Sequence, residues 1–185
     1  SSEIQIGPES LFRAAGLREK NGDWQKAFEH LRLIAEAYTD YDFERVAESL
    51  MRIAEKLARE KLPRKWGVLP RFRSGSQDRL RLNQIAGLAR GPRFAPRALM
   101  ALAEIAQKDG QVDEALDALE RLTNLYPDNY LCEEAYFILA QIFDNQNSIN
   151  YLENFVSKNG AFHYNLEPNK ETIRLVKSKN NIVFK

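Results

Sequence analysis

Residues 20–28 read Lys20-Asn21-Gly22-Asp23-Trp24-Gln25-Lys26-Ala27-Phe28, and residues 108–116 read Lys108-Asp109-Gly110-Gln111-Val112-Asp113-Glu114-Ala115-Leu116. The two stretches superimpose, and downstream Leu31 and Ile34 match Leu119 and Leu122. Glycine at the same place in both suits a turn that needs a positive φ. Ala27 and Ala115 suit a point where two antiparallel helices cross closely. A helix–turn–helix unit met twice in one chain predicts stacked hairpins, because each unit leaves an apolar face that the next one buries. The expected fold is therefore all-α, a solenoid of helical hairpins ending in a short mixed tail.

Working outward from these turns, residues 9–21 keep a helical spacing through Leu11, Ala14, Ala15 and Arg18, with Pro8 suited to the entry. Asp23 is placed to cap a second helix at 24–38, whose apolar stripe holds Trp24, Ala27, Phe28, Leu31, Ile34 and Ala35. A third helix runs from about 41 to 59 with Phe43, Val46, Ala47, Leu50, Ile53, Ala54 and Leu57 facing inward. Residues 61–76 are punctuated by Pro63, Gly67, Pro70, Ser74, Gly75 and Ser76 and read as a long loop. Further helices follow at 77–89, with Leu80, Leu82, Ile85, Ala86 and Leu88 as its apolar positions, and at 95–109, 112–125 and 131–144, separated by Gly91-Pro92, Asp109-Gly110-Gln111 and Tyr126-Pro127-Asp128.

These features resemble the tetratricopeptide repeat. Arg97 to Asn129 carries the pattern best, with Leu99, Leu102, Ala103, Gly110, Ala115, Leu119, Leu122 and Pro127 in family-like places. Residues 9–39 match next, with Thr39 where the terminal proline is expected. The middle unit is degenerate, 41–60 and 77–90 flanking the basic loop, and 131–158 could form a partial fourth. The repeat domain so read spans residues 8–144. The layout is also similar to bacterial outer-membrane assembly lipoproteins (BamD-like), which share the opening helix, the Gly-Asp-aromatic-x-Lys-Ala turn and the Tyr-Pro-Asp helix ends. That resemblance implies a periplasmic protein, anchored to the outer membrane when full length; a cytoplasmic location is the alternative. The lipid-bearing cysteine of that type is missing from the start of the chain, as a truncated form would explain. Ser1-Ser2 open the chain without a basic-then-apolar leader, so a targeting segment is expected to be gone or never present.

The net charge is +1 over 185 residues, but it is unevenly laid out. Residues 1–60 carry −3, residues 61–100 carry +9, residues 101–150 carry −8 and residues 151–185 carry +3. Such asymmetry bears on partners rather than on fold. One cysteine, Cys132, excludes an internal disulfide framework, and two histidines, His30 and His163, exclude a histidine-rich metal centre. No run approaches the ~20 apolar residues of a membrane-spanning helix. Arg73-Ser74-Gly75-Ser76 lacks the framing of a phosphate loop. Glu133 and Glu134 beside Cys132 are expected to raise its thiol pKa, against a nucleophilic role. No cofactor, metal or catalytic residue is expected.

Composition shifts near residue 145. Up to residue 140 there are 15 arginines, 6 lysines and 4 asparagines; beyond it there are 1, 5 and 9. An appendage at 145–185 is read there. It holds a short amphipathic helix at 148–158 (Ile149, Leu152, Phe155, Val156), then strands around Ile173-Leu175-Val176 and at Ile182-Val183-Phe184. Phe155-x-Ser157-x-Asn159-Gly160, Tyr164, Asn169, Ile173, Leu175 and Val176 resemble the carboxy-terminal end of dihydroorotases. The zinc-binding histidine pair and metal-bridging lysine of that family have no counterpart here, so the resemblance implies a fusion, an unusual terminus, a frame or assembly artefact, or coincidence, and no catalysis.

Two surfaces are candidates for binding. In repeats of this kind the first helix of each unit lines the concave face, which points to Phe12, Lys20, Arg97, Met100, Glu104, Gln107 and Lys108 as a peptide groove or as ordinary surface. The basic block is Lys61, Arg64, Lys65, Arg71, Arg73, Arg79, Arg81, Arg90, Arg93 and Arg97, interleaved with Trp66 and Phe72. It suits an acidic protein or, through 61–97, an anionic surface; internal compensation by the acidic segment at 101–150 is the competing reading. Nucleic acid is the less favoured partner. The expected function is a non-catalytic scaffold for a protein or peptide partner in envelope assembly. The alternatives are a non-catalytic fragment or fusion with a dihydroorotase-like tail, or a repeat that binds nucleic acid or an anionic surface through the basic loop.

Overall fold

The computed structural model describes residues 7–59 and 75–159, together with 162, 167, 175–177 and 182–184. Seven helices follow in order: α1 (Pro8–Lys20), α2 (Trp24–Ala37), α3 (Phe43–Arg59), α4 (Ser76–Leu88), α5 (Ala95–Lys108), α6 (Val112–Leu125) and α7 (Leu131–Asn145). A 3₁₀ turn (Ile149–Tyr151), a π-helical turn (Asn154–Asn159) and two short strands, β1 (Leu175–Lys177) and β2 (Ile182–Phe184), complete the described chain. The strands pair antiparallel with Val176 opposite Val183. The class is an all-α helical repeat, as the hairpin pattern predicts. Two compact units, residues 1–101 and 102–185, divide the chain within α5.

The repeated turn has one geometry in both copies. Gly22 and Gly110 take φ of 76° and 72°. Behind them Asp23 N–H donates to the Arg18 carbonyl at 2.8 Å, and Gln111 N–H to that of Ala106 at 2.8 Å. Gly22 and Gly110 N–H donate to the Glu19 and Gln107 carbonyls at 3.0 and 3.1 Å. These two-bond turns satisfy carbonyls that the end of a helix leaves open. Asp23 does not cap α2 as expected: its carboxylate instead meets Arg18 at 3.3 Å and Lys26 at 3.2 Å. A Cβ built at either glycine meets nothing within 4 Å, so the cost of alanine there is conformational alone. Gly22→Ala and Gly110→Ala should each destabilise by about 1–2 kcal/mol, read as the shift in urea midpoint.

In the first unit α1 packs on α2, α2 on α3 and α3 on α4. Most of the expected stripes form its core: Leu11 and Ala15, then Ala27, Phe28, Leu31, Ile34 and Ala35, then Val46, Ala47, Leu50, Ile53, Ala54 and Leu57, with Met51 added, whereas Ala14 and Trp24 are only half-buried. Phe43, expected to face inward, is exposed at the start of α3. There Asp42 caps the helix, its Oδ1 accepting from Arg45 N–H at 3.2 Å.

α4 departs from expectation. Leu80 is 50% exposed, whereas Asp78 and Arg81 are 5% and 7% exposed and form a buried ion pair at 3.0 Å. The Arg81 guanidinium also lies 5.9 Å from the centre of the Phe28 ring. Arg81 was expected on the basic surface; helix periodicity puts it on the same side as Leu82 and Ile85, where a carboxylate one turn back makes its burial tolerable.

In the second unit α6 packs on α7 around Ala115, Ala118, Leu119, Leu122, Ala135, Ile138, Leu139 and Ile142. The short amphipathic helix read at 148–158 is formed as a 3₁₀ turn at Ile149–Tyr151 and a π-helical turn at Asn154–Asn159.

Candidate protein-interaction surface

In the first unit a polar ladder joins α1 to α3. Arg52 grips Glu19 with two bonds, Nη1 to Oε2 at 2.7 Å and Nη2 to Oε1 at 2.9 Å. At the other end of α1 the Arg45 guanidinium stacks 4.1 Å above the Phe12 ring, whose centre is 6.2 Å from that of Tyr41. The Tyr41 hydroxyl donates to Glu9 Oε2 at 2.7 Å, and Arg13 Nε donates to Glu9 Oε1 at 3.0 Å. The Tyr41 hydroxyl, and then Arg13, hold the Glu9 carboxyl below its ordinary pKa; the same bond raises the phenol of Tyr41. Glu19 likewise raises the Arg52 guanidinium.

A second ladder joins α3 to the chain entering and opening α5. Arg93 reaches Glu44 and, at 3.0 Å, Glu48; Arg97 donates to Glu55 at 2.8 Å. Exposed pairs of this kind contribute about 0–1 kcal/mol each. Their main effect is to set which charges remain open to a partner.

The groove candidates are not equivalent. Phe12 is half-buried in its stack and Lys20 is exposed at the end of α1. Arg97 is half-buried against Glu55. Met100 is 5% exposed and lines nothing, correcting its assignment to the groove. The reason is local: Ala98, Leu99, Leu102 and Ala103 are buried beside it, so this part of α5 is apolar nearly all round. Glu104, Gln107 and Lys108 are exposed on α5 at spacings of three and four, a common helix face in the second unit. Of the basic block, Lys61, Arg64, Lys65, Arg71 and Arg73 lie outside the described residues. Arg79 is half-buried, and Arg90 is exposed with its Nε donating to the Gly87 carbonyl at 3.0 Å. In the first unit it is α3, not the acidic 101–150 segment, that supplies the acids meeting Arg93 and Arg97.

Cys132 is buried, its Sγ donating to the Tyr126 carbonyl at 3.1 Å. Burial raises its thiol pKa, with Asp128 adding a smaller push; the neighbouring glutamates expected to do so are not the cause. Its alkylation at neutral pH should run about tenfold or more below that of a free thiol, and accelerate in urea. Native labelling at the free-thiol rate would contradict this placement. Among the described residues no group of three or more His, Cys, Asp or Glu side chains is arranged to hold a metal ion. Among them, too, no helix is long and apolar enough to cross a membrane.

These hairpins define a helical-repeat protein. The tetratricopeptide repeat family model matches residues 9–41 and 97–129, and each matched stretch encloses one of the glycine turns. A stretch of 46 residues is 46% identical to a dihydroorotase of Agrobacterium fabrum (strain C58), covering 25% of this chain and 13% of that protein. No solved structure is significantly similar to the chain.

Proposed function

We propose that the protein is a non-catalytic scaffold that binds a protein or peptide partner through the exposed first-helix residues of its two repeats. The observation that carries this reading is the pair of matched tetratricopeptide repeats with solvent-facing residues at equivalent places. Lys20 and Lys108 are exposed immediately before the two turns, and Leu17, 62% exposed, stands one turn from Lys20. Mixed apolar and cationic lining suits an extended, partly acidic peptide. The arrangement of opening helix, turn and helix ends supports a place in bacterial outer-membrane assembly, in the periplasm. The basic residues of 61–97 would offer a second contact to an acidic protein or an anionic surface.

Affinity capture from separate envelope and cytosolic fractions, with wild type and a Lys20→Glu/Lys108→Glu variant, tests this. The reading expects an envelope partner held by the wild type and released by the variant. The same partners from both forms would remove the repeat face as the interface, and a cytosolic partner alone would remove the envelope assignment.

The 46-residue match favours a second reading, a fusion or fragment with a dihydroorotase-like tail. That reading, too, is non-catalytic, so turnover of carbamoyl-aspartate by the purified chain would overturn both.

A further inference from the structure

α7 ends with the same two-bond turn that follows α1 and α5. Ser148 N–H donates to the Phe143 carbonyl at 2.8 Å and Asn147 N–H to that of Asp144 at 3.0 Å. Asn147, with φ of 54°, stands where Gly22 and Gly110 stand. Asparagine is among the few residues that tolerate this conformation. After both glycine turns the chain enters a regular helix of 14 residues. After Asn147 it does not.

The three segments also differ five residues on. Gly22 and Gly110 are followed at that distance by Ala27 and Ala115, both fully buried. Asn147 is followed there by Leu152. Leucine is larger than the alanine that suits a close crossing at that place. Asn150 and Asn154 are also weak helix formers. The chain instead makes a 3₁₀ turn and a wide π-helical turn, and Phe155 brings its ring within 5.3 Å of Phe143. The first turn packs on α7, the second on α6, and β2 runs beside α7. Leu139, Ala140, Ile142 and Phe143 of α7 are buried. The same compact unit contains α6, α7 and the tail.

We propose that residues 148–159 are the closing cap of the second unit, standing in for the second helix of a further hairpin and covering the apolar face of α7 through Phe155. Repeat arrays need a terminal element that seals the last apolar face. This assigns a task to a segment whose composition is foreign to the repeats, independent of which partner the repeats bind.

Native-state hydrogen exchange on the full chain tests it, with Phe155→Ala, Phe155→Leu and, as control, Phe162→Ala, which alters a side chain 90% exposed. The α6 and α7 amides should open about tenfold more often in Phe155→Ala. The leucine variant should show a smaller rise and the control none. Amides of α1, α2 and α3 should be unchanged throughout. Wild-type exchange of α7 in Phe155→Ala would overturn the proposal, as would equal opening caused by Phe162→Ala. The leucine variant keeps the comparison decisive if the alanine variant does not fold.

Discussion

Replacing Asp78 with alanine should destabilise the first unit by about 3–5 kcal/mol. Its carboxylate meets the Arg81 guanidinium at 3.0 Å, both side chains being almost fully enclosed. Removing the carboxylate takes from a desolvated guanidinium the buried ion-pair partner it holds at 3.0 Å. Replacing both, as Asp78→Leu/Arg81→Met, should cost far less, because the desolvation of both charges disappears with the pair. Urea denaturation of the single and double variants measures this. A single variant that costs no more than the double one would show that the ion pair does not govern the site. The exposed Arg52–Glu19 pair gives the contrast: Glu19→Ala should cost about 1 kcal/mol or less, and its effect should shrink in high salt.

That pair also marks where reading residues in order stops. The helices flanking the two glycine turns were legible because their information is local: an apolar stripe, a residue free to take positive φ, and a small residue at the crossing. Their bounds in the structure fall within about two residues of those read from periodicity. α4 was legible as a helix but not in its facing. Leu80 invited the wrong side inward, while two charged residues three apart form their own buried pair. Whether charge is buried depends on what covers the helix, and the Arg81 guanidinium lies over Phe28 of α2, far away in sequence.

The surface followed the same division. Lys20, Glu104, Gln107 and Lys108 are exposed, as residues placed by the repeat pattern should be. Met100 is not, because that pattern assumes an ordinary amphipathic first helix and α5 is enclosed on more than one side. The pairs between Arg93 or Arg97 and the acids of α3 span 42 to 49 residues, and no local signal announces them. The +9 of residues 61–100 is therefore a poor measure of the basic surface. Arg81 is buried with Asp78, and Arg93 and Arg97 are matched by glutamates. The partner field that remains is narrower than the composition implies, and the Lys20/Lys108 exchange is the more direct probe of binding.

Phe28 is the residue through which the first unit's apolar and charged cores meet, and Phe28→Ala should cost about 3–5 kcal/mol. Its ring is fully buried on α2 among the residues that join α1 and α3, and it lies below the Arg81 guanidinium of α4. Truncation opens a cavity in a close-packed interior and also removes an aromatic face from a buried cation. Phe28→Leu separates the two effects. It retains most of the volume, so its packing cost should stay below about 1.5 kcal/mol, while the ring face is lost. A double-mutant cycle between Phe28→Leu and Arg81→Met then reads the ring–cation coupling, expected at about 0.5–2 kcal/mol. Hydrogen exchange locates the damage: α1 to α4 should lose protection while α6 and α7 keep theirs, because Phe28 belongs to the first of the two compact units. Equal loss in both units would mean that the chain unfolds as one body, and that the cost of Phe28→Ala is borne by the whole repeat rather than by its first unit.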